Sequence, residues 1–281
     1  IGDRLAEFGG GVLMSATLEP IAVFREVTGL DHLEARGRPV RERTYGLSFP
    51  ESNRASLAVD APKFTHENRG PPGEQNPTRL AHLDATATIA RRKGNVLVGA
   101  PSYAEAAWMA ESLADRLEKP VLLDEPSGDR ETESLKDEFF AGGGKVLVTS
   151  LRGTLTEGVD YRGDRLSAAV VCGVPIINTA RPRTRAVITA YDRRFESGFE
   201  TALTVPAVRK ARQAVGRVVR GPDERGVRVL LDARYARDSW NGVREYLPEH
   251  EREEYQPVSP DMVDVALDRF DARAGPETER R

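Results

Sequence analysis

The sequence is poor in the residues that build metal, thiol and membrane chemistry. Cys172 is the only cysteine among 281 residues, so neither a disulfide framework nor a cysteine-ligated cluster can form within the chain. Its place in the apolar run AAVVCGVPI marks it as a buried strand residue. His32, His66, His82 and His250 show no metal-ligand spacing, and no metal site is expected from them. No G-x-x-x-x-G-K-[ST] loop is present to cradle phosphates. No apolar run approaches the length of a bilayer span, and no signal or transit segment is visible. Together with 39% hydrophobic and 30% charged residues, these features predict a globular, cytoplasmic protein without a membrane partner. Neither charge sign dominates: 41 Lys and Arg against 44 Asp and Glu give a net charge of -3. Long-range attraction of nucleic acid is therefore weak. The clusters Arg91–Lys93, Arg181–Arg185 and Arg209–Arg212 suit local phosphate contacts, or simply solvated helix faces.

What is present centres on Val205–Arg220, VPAVRKARQAVGRVVR. Val208, Ala211, Val215, Val218 and Val219 recur at about 100° per residue, so the spacing predicts an amphipathic helix with Pro206 in its first turn. Gln213, Arg217 and Arg220, four and then three residues apart, fall on a second face and present an amide and two guanidiniums. Gly216 costs roughly 1 kcal/mol against Ala in a helix interior, which suggests close packing against the backbone there. By itself such a face is an ordinary solvated one.

Taken in order, Gly11–Ser15 (GVLMS) reads as a buried strand, with a turn at Thr17 and a helix starting near Pro20. Residues 38–75 turn irregular, with the breaker cluster RGPPGEQNP, and read as a linker with short strands and a long loop. Pro77–Lys93 reads as a helix with Leu80, Leu83, Ala87 and Ile89 inward. Asn95–Ala100 comes next as a buried strand, and Ser102–Glu105 as a capping box that opens the next helix. Val121–Leu123, Lys145–Thr149, Ala168–Val174 and Val227–Leu231 are further strands, and Met262–Phe270 a last helix before a polar tail. Near-continuous apolar strands alternating with helices predict an α/β fold, a parallel sheet covered on both faces. Ligand sites in such sheets lie beyond the carboxyl ends of the strands. That rule points to the segment after Thr149, SLRGTLTEGVDYRG, whose glycines suit tight turns.

The string Q-x-x-G-R-x-x-R at Gln213–Arg220 resembles motif VI of the superfamily two helicases. SATL at Ser15–Leu18 resembles motif III, and VLVGAPSY, ending at Ser102 and Tyr103, resembles motif IV. GTLTEGVDYRG followed by LSAAVVCGVPI resembles motif V of the XPD/DinG group of DNA helicases. FPESNR and KFTHENR, and after motif VI the segments Asp232–Tyr235 and Leu247–Pro248, match that group in order. The resemblance covers most of the chain. It implies the RecA-like second motor domain of a helicase, preceded by the last strand and helix of the first. The domains would then be residues 1–30 (end of the first motor domain), 31–79 (linker), 80–256 (second motor domain) and 257–281 (helix and polar tail).

By the same resemblance Arg217 and Arg220 serve as catalytic arginine fingers to ATP held on the other motor domain. Phosphoryl transfer needs positive charge on the leaving γ-phosphate, and a planar guanidinium supplies it bidentately. Gln213 would hold the guanidiniums or the phosphate, with Glu157, Gly158, Asp160 and Gly216 beside the nucleotide. Ser102, Tyr103, Gly153 and Thr154 would grip single-stranded DNA, and Ser15, Ala16 and Thr17 would couple the two sites. The Ser102 cap is also a complete structural explanation for that residue. ATP and Mg²⁺ would be held mainly by an N-terminal half expected upstream of Ile1, which also leaves room for an iron–sulfur cluster there and none here. The expected partners are that half, single-stranded DNA and a regulatory protein. The implied activity is an ATP-dependent DNA helicase, 5′-to-3′ by family analogy and serving repair or replication, with this chain alone inactive. Two rivals stand beside it: a non-catalytic DNA- or protein-binding module derived from a helicase domain, and a complete metabolic α/β enzyme.

Overall fold

Runs such as Val96–Ala100 and Val146–Ser150 have no polar alternation, so neither face of the strands they form can meet water. A computed structural model of the chain describes all residues except 16–17, 46–48, 72, 157–158, 162 and 274–281. It divides into two compact units, Ile1–Ser48 with Ile177–Arg209, and Phe49–Ile176 with Lys210–Arg281.

The second unit is built on a seven-stranded sheet: β1 (Arg54–Val59), β2 (Val96–Ala100), β3 (Val121–Leu123), β4 (Val146–Ser150), β5 (Ala168–Cys172), β6 (Gly226–Leu231) and β7 (Gln256–Val258). The order is β3-β4-β2-β5-β6-β1-β7, with every pairing parallel. All carboxyl ends therefore lie along one edge. Alternate residues Val96, Val98, Val146, Val148, Val170 and Val229 join one core with Leu83, Ile89, Met109, Leu113, Leu267 and Phe270, from helices Pro77–Ala90, Tyr103–Ala114 and Val263–Ala272. The opposite set, Leu97, Leu147, Val171 and Leu230, is buried as well, so both faces are covered. This is the α/β architecture expected. Among the described residues no helix is long and apolar enough to cross a membrane.

The boundaries differ from the expectation. Residues 54–59, assigned to a linker, form β1, inserted between β6 and β7 with six residues in register with β6. The domain therefore starts near Phe49 rather than at residue 80, and it continues past 256 through β7 and the last helix. Pro257 is tolerated because β7 is an edge strand, where a missing N–H breaks no ladder. The polar tail from residue 274 lies outside the described residues.

In the first unit the expected strand GVLMS does not form. Residues 11–15 are irregular, and Val12 and Met14 are exposed. A strand needs a neighbour to share its hydrogen bonds, and the regular elements of this unit are helical: Gly2–Ala6, Ile21–Thr28, Leu30–Ala35, Pro182–Phe195 and the helical turns from Glu200. Arg25 ties Asp31, Glu34 and Glu42 together, and Arg38 donates to the carbonyls of Ala6, Phe8 and Gly9.

Beyond the ends of β1, β5 and β6 lies a buried polar cluster. Asp232 caps Ala233–Ala236 and accepts two side-chain bonds from Arg234, at 2.8 and 2.7 Å, and one from the Phe64 N–H at 2.9 Å. His82 stacks on Phe64, and its Nε2 lies 2.8 Å from the Pro62 carbonyl, so Nε2 carries the proton. Burial lowers the His82 pKa below 6.5. Below about pH 6.5 the unfolded chain therefore binds a proton that the fold refuses, and stability falls as pH falls. The expected slope approaches about 1.4 kcal/mol per pH unit. Urea midpoints from pH 8 to 5 should drop more steeply for the native chain than for His82→Gln, and parallel curves would contradict this.

Candidate nucleotide and nucleic-acid interface

β2 and β4 are adjacent and parallel, with Ala100 opposite Ser150, so the segments that leave their carboxyl ends meet at one place on the edge. After β2, Ser102 caps Tyr103–Ala114 by accepting the Glu105 N–H at 3.3 Å. The other half of the expected capping box is absent. Glu105 is buried and turns to Arg79, whose Nη2 lies 2.7 Å from its carboxylate. After β4, the Leu151 N–H donates to the Ala100 carbonyl at 2.8 Å and the Gly153 N–H to Ser150 at 2.7 Å, folding the chain back over the strand ends. Gly153 is buried, and a Cβ there would stand 2.8 Å from Asp124 Oδ2 and 3.0 Å from Thr149 Oγ1, so only glycine fits. Thr154 is exposed and opens a short 3₁₀ turn.

Asp124, at the end of β3, is the residue that sequence reasoning misses here. It is buried and accepts the Thr149 hydroxyl at 2.5 Å. Burial pushes its pKa up, against the opposing effect of that hydrogen bond. Tyr103, nearby, is shifted upward first by burial and then by the charge of Asp124. An acid just past a strand end is a signal the carboxyl-edge rule could have flagged. Ser102 and Tyr103 thus leave one strand end and Gly153 and Thr154 the end of its neighbour, with Tyr103 and Gly153 beside the buried Asp124 carboxylate.

The second set gathers at the other end of the same segment. The arginine helix is shorter than its periodicity suggests, Val205–Val215, and it follows a five-residue π-helical stretch, Glu200–Thr204. Pro206 stands in the first turn of this helix, as expected, and because it cannot return an N–H to the previous turn a wider turn precedes it. At the far end Gly216 bonds to the Arg212 carbonyl at 2.8 Å, after which Arg217 and Val218 tighten to partners three residues back. A Cβ at Gly216 would lie 2.9 Å from that carbonyl, so what crowds Gly216 is its own preceding turn. Gln213 lies on the helix, while Arg217 and Arg220 leave from beyond its end; they do not share one helical face.

Both guanidiniums reach the segment after β4. Arg217 Nη1 donates to the Val159 carbonyl and Arg220 Nη1 to Asp160 Oδ1, each at 2.7 Å. Glu224, in the turn between Gly221 and Gly226, accepts the Arg220 N–H at 2.7 Å and the Gly163 N–H at 2.8 Å, pinning the two stretches together. A cavity of about 480 Å³ opens beside Val159 and Asp160, lined also by Lys136, Phe140 and Arg165. The Arg220–Asp160 pair is 35% and 55% exposed, and such pairs contribute only about 0–1 kcal/mol, so Arg220 can exchange Asp160 for a phosphate at little cost. Arg212 differs. Its guanidinium makes two 2.7 Å bonds to Glu251, with both side chains mostly covered, and is a structural clamp. Ser15, at the expected coupling site, is exposed in the irregular segment of the first unit, while Ala16, Thr17, Glu157 and Gly158 lie outside the described residues.

The family described as "Helicase C-terminal domain" matches residues 86–252, a span that holds β2 to β6, the segment after β4 and both arginines. The chain belongs to this family. Its relatives place this helicase domain in the XPD/DinG type. It is 32% identical over 132 residues to the transcription and DNA repair factor IIH helicase subunit XPD of Dictyostelium discoideum, covering 47% of this chain and 17% of that protein. It is 31% identical over 228 residues to the ATP-dependent helicase DinG of Mycobacterium tuberculosis, covering 80% and 32%. It is 30% identical over 146 residues to the ATP-dependent DNA helicase YoaA of Escherichia coli, covering 52% and 22%. The helicase domain thus spans no more than about a third of the curated relatives' length. A solved structure of apo XPD shares the RecA-like fold, with a TM-score of 0.56 at 21% identity over 88% of this chain and 48% of that one. A second XPD helicase structure gives 0.53 at 17% identity over 74% and 35%.

Proposed function

We propose that this domain is the C-terminal motor half of an ATP-dependent DNA helicase of repair or replication, moving 5′-to-3′ on single-stranded DNA. The observation that carries the reading is that one short segment serves two places. Gly153 at its start is packed against Asp124 and Thr149, and Val159 and Asp160 near its end receive Arg217 and Arg220. A change in what the arginines hold is thereby felt where the DNA backbone would lie. Arg217 and Arg220 supply positive charge to the γ-phosphate of ATP bound on the N-terminal half, with Gln213 beside them and Glu157, Gly158 and Gly216 lining the nucleotide. Ser102, Tyr103, Gly153 and Thr154 hold the DNA strand, and Ser15, Ala16 and Thr17 couple the two halves. Among the described residues no group of three or more His, Cys, Asp or Glu is placed to hold a metal. Mg²⁺ and most of the triphosphate are held by the N-terminal half in this reading. An iron–sulfur cluster has no ligands here, since Cys172 is buried and its thiol is pushed up to about 12 by that burial.

The division of labour is tested with the 281-residue chain and the intact protein side by side. The chain alone should show no DNA-stimulated ATP hydrolysis, and the intact protein should show it. Robust turnover by the chain alone refutes the reading. DNA binding without turnover in the intact protein would favour a non-catalytic binding module.

A further inference from the structure

Trp240 is fully exposed, while Val243 and Leu247, just after it, are buried. The turn that carries it is held firmly. Gly242 donates to the Ser239 carbonyl at 2.7 Å, Val243 to the Arg234 carbonyl at 2.8 Å, and Lys63 to the side chain of Asn241. The fold itself does not use the indole: among the described residues it makes no ring contact and no hydrogen bond. A rigidly presented, unused aromatic surface calls for a partner with a flat apolar face.

Its place in the fold says which partner. Trp240 follows β6 and Lys63 follows β1, so both stand at the carboxyl edge that also carries Ser102 after β2 and Thr154 after β4. β6 is two strands from β2 in the sheet, about 10 Å at the usual inter-strand spacing. Arg237 is 68% exposed while its partner Asp60 is 19% exposed, and the half-buried Lys63 adds a second cation through its bond to Asn241, with exposed acids at Asp238 and Glu245. An exposed aromatic platform is what binds single strands without sequence preference, a base stacking on the ring, and Arg237 and Lys63 are the cations within reach of the backbone. We infer that Trp240 is a base-stacking platform that extends the DNA track along the carboxyl edge of the sheet, from β4 and β2 to β6. The inference rests on the proposed DNA role of Ser102 to Thr154.

The test is anisotropy binding of labelled oligodeoxythymidine to the native 281-residue chain, Trp240→Ala, Trp240→Phe and Thr154→Asp, with a matching oligonucleotide of abasic sites. Trp240→Ala should bind thymidine DNA about 5- to 100-fold more weakly, the range of one lost stacking contact. Trp240→Phe should recover most of this. On abasic DNA the native chain and Trp240→Ala should bind alike, a result that a merely structural role for the ring would not give. If Thr154→Asp weakens binding while Trp240→Ala stays within twofold of the native chain, the platform is overturned and the DNA interface stands. If neither variant matters, or the native chain binds no single strand, both fall.

Discussion

Replacing Arg79 by alanine is expected to destabilise the domain by about 3–5 kcal/mol, the cost of breaking a buried ion pair by removing one partner. Arg79 has no exposed surface. Its Nε and Nη2 lie 3.2 and 2.7 Å from the two oxygens of Glu105, and its Nη1 gathers the carbonyls of Arg69, Pro71 and Glu74 at 2.6, 2.6 and 2.7 Å. The guanidinium also lies over Trp108. One side chain thus fastens the irregular stretch before helix Pro77–Ala90 to the start of helix Tyr103–Ala114. The variant leaves Glu105 with only the mostly covered Arg69, at 3.0 Å, and strands three carbonyls. Whole domains are stable by about 5–15 kcal/mol, so a large share would go. Adding Glu105→Leu should restore part of the loss, because it removes the unpaired carboxylate but not the stranded carbonyls. Urea midpoints read all three proteins, and a change below about 1 kcal/mol for Arg79→Ala would contradict the clamp.

Arg217→Ala and Arg220→Ala in the intact protein should each lower DNA-stimulated kcat by about 10³- to 10⁵-fold, the contribution of an arginine finger to phosphoryl transfer. DNA affinity should stay within about threefold, since neither side chain lies among the residues assigned to the strand. Lysine should rescue neither, because an ammonium cannot match the planar two-point fit of a guanidinium to phosphate oxygens. Arg212→Ala is the internal control from the same segment. It breaks the two bonds to Glu251 and should cost about 1.5–3 kcal/mol of stability, the range for hydrogen bonds to charged groups. Its kcat should remain near native at temperatures where it is folded. A loss of turnover in Arg212→Ala equal to that of Arg217→Ala would erase the distinction between structural and reacting arginines.

Much of the sheet is legible in the sequence because its strands are buried on both faces, and an unbroken apolar run is a signal that survives without context. β2, β4, β5 and β6 fall within two residues of the strands expected at 95–100, 145–149, 168–174 and 227–231. β1 is legible as a short strand but not as part of this sheet, because ASLAV stands among breakers, while β7 escapes altogether: QPV is three residues with a proline, paired only by virtue of its neighbour. The arginine helix looks longer in sequence than it is because Val218 and Val219 continue the apolar period. Their burial has another cause: Val218 packs so closely on Gly226 at the start of β6 that a Cβ there would lie 2.2 Å from its Cγ1. GVLMS reads as a strand by composition, yet pairing is a property of neighbours. At the site, the helicase resemblance implies that Asp160 faces the arginine segment, and Arg220 donates to it. Asp124 and Glu224 stay hidden because carboxylates acquire their partners from tertiary structure: Asp124 from Thr149 on the neighbouring strand, Glu224 from the Gly163 N–H.

Amide hydrogen exchange on the intact protein shows whether segment 153–163 answers to nucleotide at one end and to DNA at the other. It would be measured free, with a non-hydrolysable ATP analogue, and with single-stranded DNA. Both ligands should slow exchange in 153–163, the analogue should also protect 216–224, and DNA should also protect 102–106. Protection of 153–163 by only one of the two ligands, or no change at 216–224 with the analogue bound, would contradict the account.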